Sequence, residues 1–293
     1  MKLSLASEGA WKPEPSLMVG VSLFIPLLLV IVLLVVYPFI ELVRIAMPDG
    51  IDPASFRDYF DNAARMRALI VTFRDSAAVA ILAVLMGFVL AWTLITSKST
   101  VLKALTWIAI ALPLLMGTVV KNYALLIILQ RRGLLNNFLI HIGVIDAPLR
   151  ILYTESAVVV GILYTLLPYA IIPIYTALRS LDFDMVRSAE IMGASRFTAI
   201  RTVVLPYAWP SIMASAMLIF VISVGFYIVP VVLGGATSPF IATLIQNDMV
   251  QFFDMKSAAI ASLILVMLSM AAVALTIATV GVDQVNRSTG AGQ

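Results

Sequence analysis

Cysteine is absent from the 293 residues, and histidine occurs once, at His141. Without cysteine the chain can form neither a disulfide framework nor a thiolate metal site. A single imidazole cannot assemble a typical zinc site, so we interpret His141 as a loop or interface residue. The sequence therefore predicts no metal centre and no cofactor bound by this chain.

Charged residues are also scarce, at 12% of the chain, whereas a soluble domain usually carries about 25%. Hydrophobic residues make up 62%, and the mean hydropathy is +1.06. One water-exposed core cannot bury so much apolar surface, so the composition indicates a membrane protein in contact with lipid. The net charge of only +3, without a basic run, argues against a nucleic-acid partner.

The familiar catalytic motifs are missing as well. The sequence has no Gly-x-x-x-x-Gly-Lys-[Ser/Thr] phosphate loop, so the chain does not hydrolyse ATP by that route. It also lacks the His-Glu-x-x-His motif of zinc proteases and the Gly-x-Ser-x-Gly motif of serine hydrolases. We therefore expect no catalytic residues and no enzyme activity in this chain.

Long apolar stretches separate the charges, and a span needs roughly 20 apolar residues. Residues 15–40 are uncharged and longer than a signal-peptide core, so we interpret them as a retained span. The spans are predicted at about 17–45, 68–97, 104–130, 155–178, 208–233 and 257–281. They form one all-α transmembrane domain over 17–282, between an N-terminal segment, 1–16, and a tail, 283–293.

Two details of this topology depend on glycine and proline residues that mark turns and helix starts. The uncharged stretch 202–247 is long enough for two spans, but Gly234–Gly235 and Ser238–Pro239 indicate an exit turn and hence one span. Asp52–Pro53 is typical of a helix start, with Asp52 as N-cap, and predicts a short surface helix. Six spans place both termini on one side. Lysine and arginine are divided almost evenly between the two sides, so the positive-inside rule gives no orientation.

The predicted spans contain almost no charge, and Lys121 is the exception. It either lines a solute pathway or snorkels to the membrane interface. A secondary carrier driven by protons is expected to show an acidic or histidine relay inside its spans, and none is visible. The pattern favours an external energy source. A secondary carrier and a non-transporting membrane scaffold remain as alternatives.

The segment 179–206 has the pattern of two short helices joined by a turn. Asp182 is a suitable N-cap for the first, Gly193 can end it in a left-handed conformation, and Ser195 can cap the second. Pro206 predicts that the second helix ends before it. Four apolar residues fall on one face of the first helix, namely Phe183, Val186, Ala189 and Met192.

This segment resembles the signature loop of ABC importer permeases. Ala189 matches the last residue of the Glu-Ala-Ala triplet, Gly193 matches the glycine, and 203–206 matches the closing Ile-x-Leu-Pro. The triplet departs at its first two positions, where Arg187 and Ser188 stand, although Glu190 lies close by.

The resemblance implies a type I importer permease with a cytoplasmic coupling helix that docks into an ATPase subunit. The coupling residues it implies are Asp182, Val186, Ala189, Glu190, Gly193, Ala194, Ser195, Leu205 and Pro206. The apolar face defined above would fit a groove on the ATPase. The implied partners are nucleotide-binding subunits that bind the ATP, a second related permease, and a periplasmic solute-binding protein. The implied location is a bacterial inner membrane, with both termini cytoplasmic.

Further segments are similar to the spermidine/putrescine branch of this family. They are Gly133–Asn137, Gly143–Ile151, Tyr164–Tyr169, Phe226–Pro230 and Leu233–Gly235. The resemblance implies a polyamine or similar organic cation as the solute. Aromatic faces suit such a cation, although aromatic residues also anchor spans at the interface. The candidate pathway residues are Trp92, Lys121, Tyr123, Tyr164, Tyr169 and Tyr227.

Overall fold

The computed structural model describes residues 17–48, 50, 53–235 and 238–280 of the chain, and its regular elements there are helical. The first six helices are α1 (Leu17–Ala46), α2 (Pro53–Asp61), α3 (Ala63–Thr96), α4 (Thr100–Leu115), α5 (Thr118–Leu129) and α6 (Leu134–His141). They are followed by α7 (Glu155–Arg179), α8 (Phe183–Ile191), α9 (Arg196–Ala199), α10 (Leu205–Val224), α11 (Ile241–Val250) and α12 (Met255–Val280). The all-α prediction is confirmed. The predicted N-cap Asp52, the segment 1–16 and the tail 283–293 lie outside the described residues.

The helices α3, α7 and α10 pack together as the centre of the bundle. Small residues allow α3 and α7 to approach closely, because a Cβ on Gly87 would lie 2.9 Å from the Cβ of Ala170. Fully buried aliphatic residues such as Val79, Ile162 and Ile219 fill the space between the three helices. Close packing of this kind gives membrane helices most of their association energy, since lipid tails are as apolar as the side chains.

The bundle has two ends, which α3 connects. Near the start of α3, Tyr59 of α2 and Ile241 of α11 are buried together with residues of α12. Near the end of α3, Leu94 packs in a second cluster with the last turns of α7 and the beginning of α10. The segment 179–206 lies at this second end, and the segments 131–154 and 235–254 join helices on the side where α7 and α12 begin.

Five helical stretches are long and apolar enough to cross a membrane, and a sixth exists if a bent pair counts as one span. That pair, Thr100–Leu115 and Thr118–His141, includes the predicted span 104–130, which is therefore not one continuous helix. The chain breaks after Leu115, at Met116–Gly117, and the two parts meet at 119°. The sequence predicts one span here, in which Lys121 interrupts only the uncharged run, whereas the backbone breaks shortly after Pro113.

The predicted span 208–233 also differs from the structure. Helix α10 ends at Val224, and Gly225 leads into a short turn before a π-helical segment, Pro230–Gly234. Pro230 has no amide hydrogen and Gly225 weakens a helix, so both residues favour an interruption here. The span identified in the structure covers Arg196–Val224 instead, because the helix begins well before residue 208.

Candidate coupling loop and solute pathway

The first helix of the segment 179–206 has defined caps at both ends. The Oδ1 of Asp182 accepts a hydrogen bond from the amide of Asp184 at 2.9 Å. At the other end, Gly193 has φ +94°, and its amide donates to the carbonyl of Glu190. The amide of Ala194 donates to the carbonyl of Ala189, which completes a Schellman motif. The predicted Asp182 cap and the left-handed Gly193 are confirmed.

The second helix begins as predicted but does not end as predicted. The Oγ of Ser195 accepts a hydrogen bond from the amide of Thr198 at 3.2 Å. The chain then continues through a π-helical turn, Ile200–Val204, directly into α10, so the prediction that Pro206 ends the helix is wrong. Pro206 has no amide hydrogen to donate, and it is tolerated because it falls in the first turn of α10, just after the wider π turn.

The apolar face expected to fit the ATPase is mostly turned toward the chain itself. The ring of Phe183 lies 6.4 Å from the ring of Trp92, Val186 packs against the core at this end of the bundle, and Ala189 is 9% exposed. Leu205 also packs against this core. In the single chain Phe183, Val186 and Ala189 pack on the bundle and fix α8 there, and contact of this face with the ATPase stays a prediction. Met192 alone of the four is strongly exposed.

A different apolar surface covers the turn of this segment. Ile191 is 85% exposed, Met192 82%, Phe197 75% and Met185 56%. We call these four residues the loop tip. Residues of this size are costly to leave in water, and exposed apolar residues grouped around one turn are typical of a binding surface.

Charged residues surround the loop tip. Arg187, at the position of the signature glutamate, pairs with Asp184 at 3.0 Å, and both side chains are exposed. Glu190 is exposed too, beside Ile191. Arg187 and Asp184 neutralise each other's charge, and Glu190 is the carboxylate next to the apolar residues.

A cavity of about 380 Å³ opens at the break between α4 and α5. Its walls come from α4, α5, α7 and the end of the α10 region, so it lies between broken and continuous spans. Discontinuous membrane helices commonly form solute sites, because the backbone groups freed at the break can face a cavity. The lining residues include Pro113, Met116, Thr118, Lys121, Thr165, Tyr169 and Phe226.

Lys121 contributes the charge among the residues that line this cavity. The residue is 7% exposed, and its Nζ donates to the carbonyl of Pro113 at 3.4 Å. The break at Met116–Gly117 removes the normal helical partner of that carbonyl, so Lys121 bridges the two halves of the bent pair. This burial argues against an interface-snorkelling lysine, and a pathway role for Lys121 stays a prediction.

Replacing Lys121 by methionine is expected to reduce uptake about tenfold or more, since a buried charge in a membrane cavity is expensive and is kept for function. Methionine retains the length and the apolar contacts of the lysine stem. Membrane insertion and binding of other subunits should stay unchanged. Uptake by cells that express the variant is the measurement. Lys98→Met, which removes an exposed cation outside the cavity, is the matched control.

The remaining pathway candidates divide into two groups. Tyr169 lines the cavity, and the hydroxyl of Tyr164 lies 3.9 Å from the Sδ of the lining residue Met116. Trp92 lies elsewhere, stacked between Phe88 and Phe183 beside the coupling segment. Tyr123, which is 54% exposed, and Tyr227 are not among the lining residues. Sequence reasoning missed Met116 and Thr118, although Pro113 and Gly117 signal the break that exposes them.

Sequence reasoning also missed a buried charge in α3. Asp75 is 3% exposed, accepts hydrogen bonds from Arg74, and lies within a helix that can span the membrane. Arg74 also pairs with Glu155 at the start of α7. The expectation that Lys121 is the only charge inside a span is therefore wrong. Asp75 pairs with the adjacent residue Arg74. A sequence search for separated acidic residues that could relay protons does not detect such a local pair.

Outside the spans, α11 carries a second partly buried carboxylate. Burial raises the pKa of Asp248, and Arg65, whose guanidinium lies 3.7 Å away, opposes this shift. Burial also raises the pKa of the neighbouring Tyr59 to about 12, so its hydroxyl stays neutral. These groups connect α2, α3 and α11 at the end of the bundle remote from the loop tip.

Comparison with known proteins gives consistent relatives. The spermidine/putrescine transport system permease protein PotB of Escherichia coli (strain K12) is 33% identical over 183 residues, or 62% of this chain and 65% of PotB. The match thus spans less than two thirds of that relative. The molybdenum transport system permease protein ModB of Mycobacterium bovis (strain ATCC BAA-935 / AF2122/97) is 28% identical over 232 residues, or 79% of this chain and 86% of ModB.

A solved structure supports the fold. The crystal structure of a bacterial alginate ABC transporter in complex with alginate pentasaccharide-bound periplasmic protein contains a chain with a TM-score of 0.72. The superposition covers 88% of this chain and 92% of that chain, at 18% identity. Agreement at this low identity concerns the fold alone.

The family model described as "Binding-protein-dependent transport system inner membrane component" matches residues 16–287. Members of this family are membrane permease subunits of ABC importers, in which a separate subunit hydrolyses ATP. The matched range includes the cavity, the coupling segment and each helix described above. The chain therefore belongs to the binding-protein-dependent transport system inner membrane components.

Proposed function

We propose that this chain forms half of the pore of an ATP-driven importer in a bacterial inner membrane and that the loop tip transmits the work of the ATPase. The observation that carries the proposal is the segment 182–206. Its capped helix, left-handed Gly193 and second helix leave Ile191, Met192 and Phe197 exposed on the surface of the bundle. The partners are two ATPase subunits, a second related permease and a periplasmic solute-binding protein.

We infer that the loop tip moves the pore through its connections to the central helices. Phe183 contacts Trp92 at the end of α3, and the second short helix continues without interruption into α10. A displacement of the tip is therefore transferred to two of the three central helices. The cavity at the α4–α5 break lies against α7 and the end of α10, so movement of these helices changes its access.

The subunit composition tests the proposal. A tagged chain purified in mild detergent from its native membrane should bring with it an ATPase subunit and a second permease. A secondary carrier would instead purify alone or as a homo-oligomer, with no ATPase. A membrane scaffold would bring partners that show no ATP hydrolysis.

The proposed orientation places both termini and the loop tip in the cytoplasm, with the segments 47–67, 131–154 and 235–256 outside. Because the chain has no native cysteine, single-cysteine labelling gives an unambiguous result. Ser188→Cys should resist an impermeant maleimide in intact cells and react after permeabilisation, whereas Ser257→Cys, at the start of α12, should be nearer the outside. Labelling of Ser188→Cys in intact cells would invert the topology.

The proposed solute is a polyamine or a similar organic cation. The support is the similarity to a spermidine/putrescine permease and the aromatic residues Tyr164 and Tyr169 in and beside the cavity. The similarity to a molybdenum permease makes an oxyanion the specific alternative, and Lys121 in the cavity suits it. Spermidine or putrescine should compete with uptake of the native solute by the full complex. Competition by molybdate and not by polyamines would replace the cation with an oxyanion and leave the importer function intact.

A further inference from the structure

A second cavity, of about 570 Å³, lies at the end of the bundle remote from the loop tip. It is lined by Arg131, which follows α5, and by the segment 150–154, which precedes α7. Both Arg131 and Arg150 are exposed. The two guanidinium groups therefore border one opening, which we call the arginine cavity.

The frame of the arginine cavity is fixed by a fully buried asparagine. The Nδ2 of Asn136 donates to the carbonyl of Leu149 at 3.0 Å and to that of Gln130 at 3.3 Å, and its Oδ1 accepts from the amide of Leu149 at 2.9 Å. Leu149 and Gln130 are the direct neighbours of Arg150 and Arg131. One side chain thus holds together the two chain segments that carry the arginines.

Gly133 keeps this frame tight. A Cβ at Gly133 would lie 2.4 Å from the carbonyl oxygen of Ile128 and 2.5 Å from that of Ile127. No other residue fits this approach without a backbone shift. The arginine cavity is therefore a preorganised feature, and a preorganised site loses little conformational entropy when it binds a partner.

Within the described part of the chain, neither arginine has an ion pair or a hydrogen bond to a carboxylate. Two other arginines at this end of the bundle are paired, Arg57 with Asp61 at 3.8 Å and Arg65 with Asp248 at 3.7 Å, whereas Arg132 is exposed beside Arg131 and does not line the cavity. The segment 131–154 contains three arginines and one aspartate. On the outer side, which the proposed function assigns to this segment, unpaired cations do not serve membrane orientation, because the positive-inside rule favours them in the cytoplasm.

We infer that the arginine cavity is a docking socket for carboxylate side chains on the periplasmic solute-binding protein. This inference rests on the proposed function, which places the segment outside and supplies the partner. Arginine binds carboxylates through two parallel hydrogen bonds, and two arginines on backbone segments that Asn136 holds together would orient the docked protein as well as attract it. A cationic solute would be repelled by the same groups, so they face the protein that carries it.

Charge reversal tests the socket in the complete transporter, reconstituted in nanodiscs of phosphatidylcholine only. The double variant Arg131→Glu/Arg150→Glu should bind the solute-loaded binding protein about tenfold or more weakly than wild type, with a smaller dependence of affinity on salt. The matched control is Arg132→Glu, which reverses an adjacent exposed arginine that does not line the cavity, and its affinity should stay within about twofold of wild type. Lysine substitutions of acidic residues on the docking face of the binding protein should restore binding to the double variant.

Three results would overturn the inference. Wild-type affinity of the double variant would show that the socket does not contact the binding protein. Unchanged affinity with lost uptake would assign the arginines to the solute. A weakening seen only in nanodiscs with anionic lipid would assign them to lipid headgroups. A failure of the proposed function itself is distinguishable, since the wild-type complex would then bind no solute-binding protein and show no ATP hydrolysis.

Discussion

Replacement of Gly193 by valine is expected to abolish uptake while the protein reaches the membrane at a near wild-type level. Gly193 has φ +94°, a conformation that costs a residue with a Cβ about 1 kcal/mol or more and a β-branched residue more still. The open space around its Cα offers no steric reason for glycine, so the backbone conformation alone requires it. Valine would shift the backbone, break the Schellman motif and change the angle between α8 and α9.

The dissociation of two properties makes this variant informative. Gly193 lies between the spans Glu155–Arg179 and Arg196–Val224, so insertion depends on apolar lengths that do not change. Membrane abundance, measured by immunoblot, should be normal, whereas uptake and binding-protein-stimulated ATP hydrolysis should both be lost. Gly193→Asn is the matched control, because asparagine tolerates the left-handed conformation, and it should retain much of the activity. Wild-type uptake by Gly193→Val would mean that this segment is an ordinary connection.

Charge placed in the loop tip is expected to detach the ATPase subunits. In the double variant Ile191→Glu/Phe197→Glu, two carboxylates replace side chains that are 85% and 75% exposed in the isolated chain. If these side chains fill a groove on the ATPase, burying the carboxylates would cost several kcal/mol, which corresponds to a loss of affinity of at least about a hundredfold. Folding of the permease should not change, because neither side chain packs against its own core.

The measurement is the amount of ATPase subunit that copurifies with the tagged permease. Phe252→Glu is the control, since Phe252 is 69% exposed and lies between α11 and α12, at the end of the bundle remote from the loop tip. It should leave ATPase binding at the wild-type level. Normal ATPase binding by the loop-tip double variant would show that the groove contacts a different surface, and Val186→Glu would then be the next test.

The sequence allowed the local geometry of the coupling segment to be predicted more accurately than its orientation. Asp182, Gly193 and Ser195 act through hydrogen bonds and dihedral angles of their immediate neighbours, and each occupies the predicted role in the backbone. The face that α8 turns outward depends on where Trp92 and the core at that end of the bundle lie. A helical pattern identifies an apolar face, but it does not distinguish a face packed on the chain's own bundle from one that awaits a partner.

The broken span shows a second limit. Residues 104–130 carry no charge apart from Lys121 and are mostly apolar, so hydropathy treats them as one helix. The break follows Pro113 and falls at Met116–Gly117, where the lost hydrogen bond of the Pro113 carbonyl is replaced by the Nζ of Lys121. Hydropathy does not describe such a replacement, because it depends on a contact between residues two turns apart across a 119° bend. Asp75 was missed for a similar reason, since its neutralising partner Arg74 is its neighbour in the chain.

ATP-dependent uptake in proteoliposomes tests the importer function most directly. The complete complex of this chain, its partner permease and its ATPase subunits would be reconstituted. Radiolabelled solute and the solute-binding protein would be added on the membrane face that corresponds to the periplasm. We expect uptake that requires both the binding protein and ATP on the opposite face, and that stops when ATP is replaced by a non-hydrolysable analogue. Uptake by this chain without ATPase subunits, driven by a proton or sodium gradient, would contradict it.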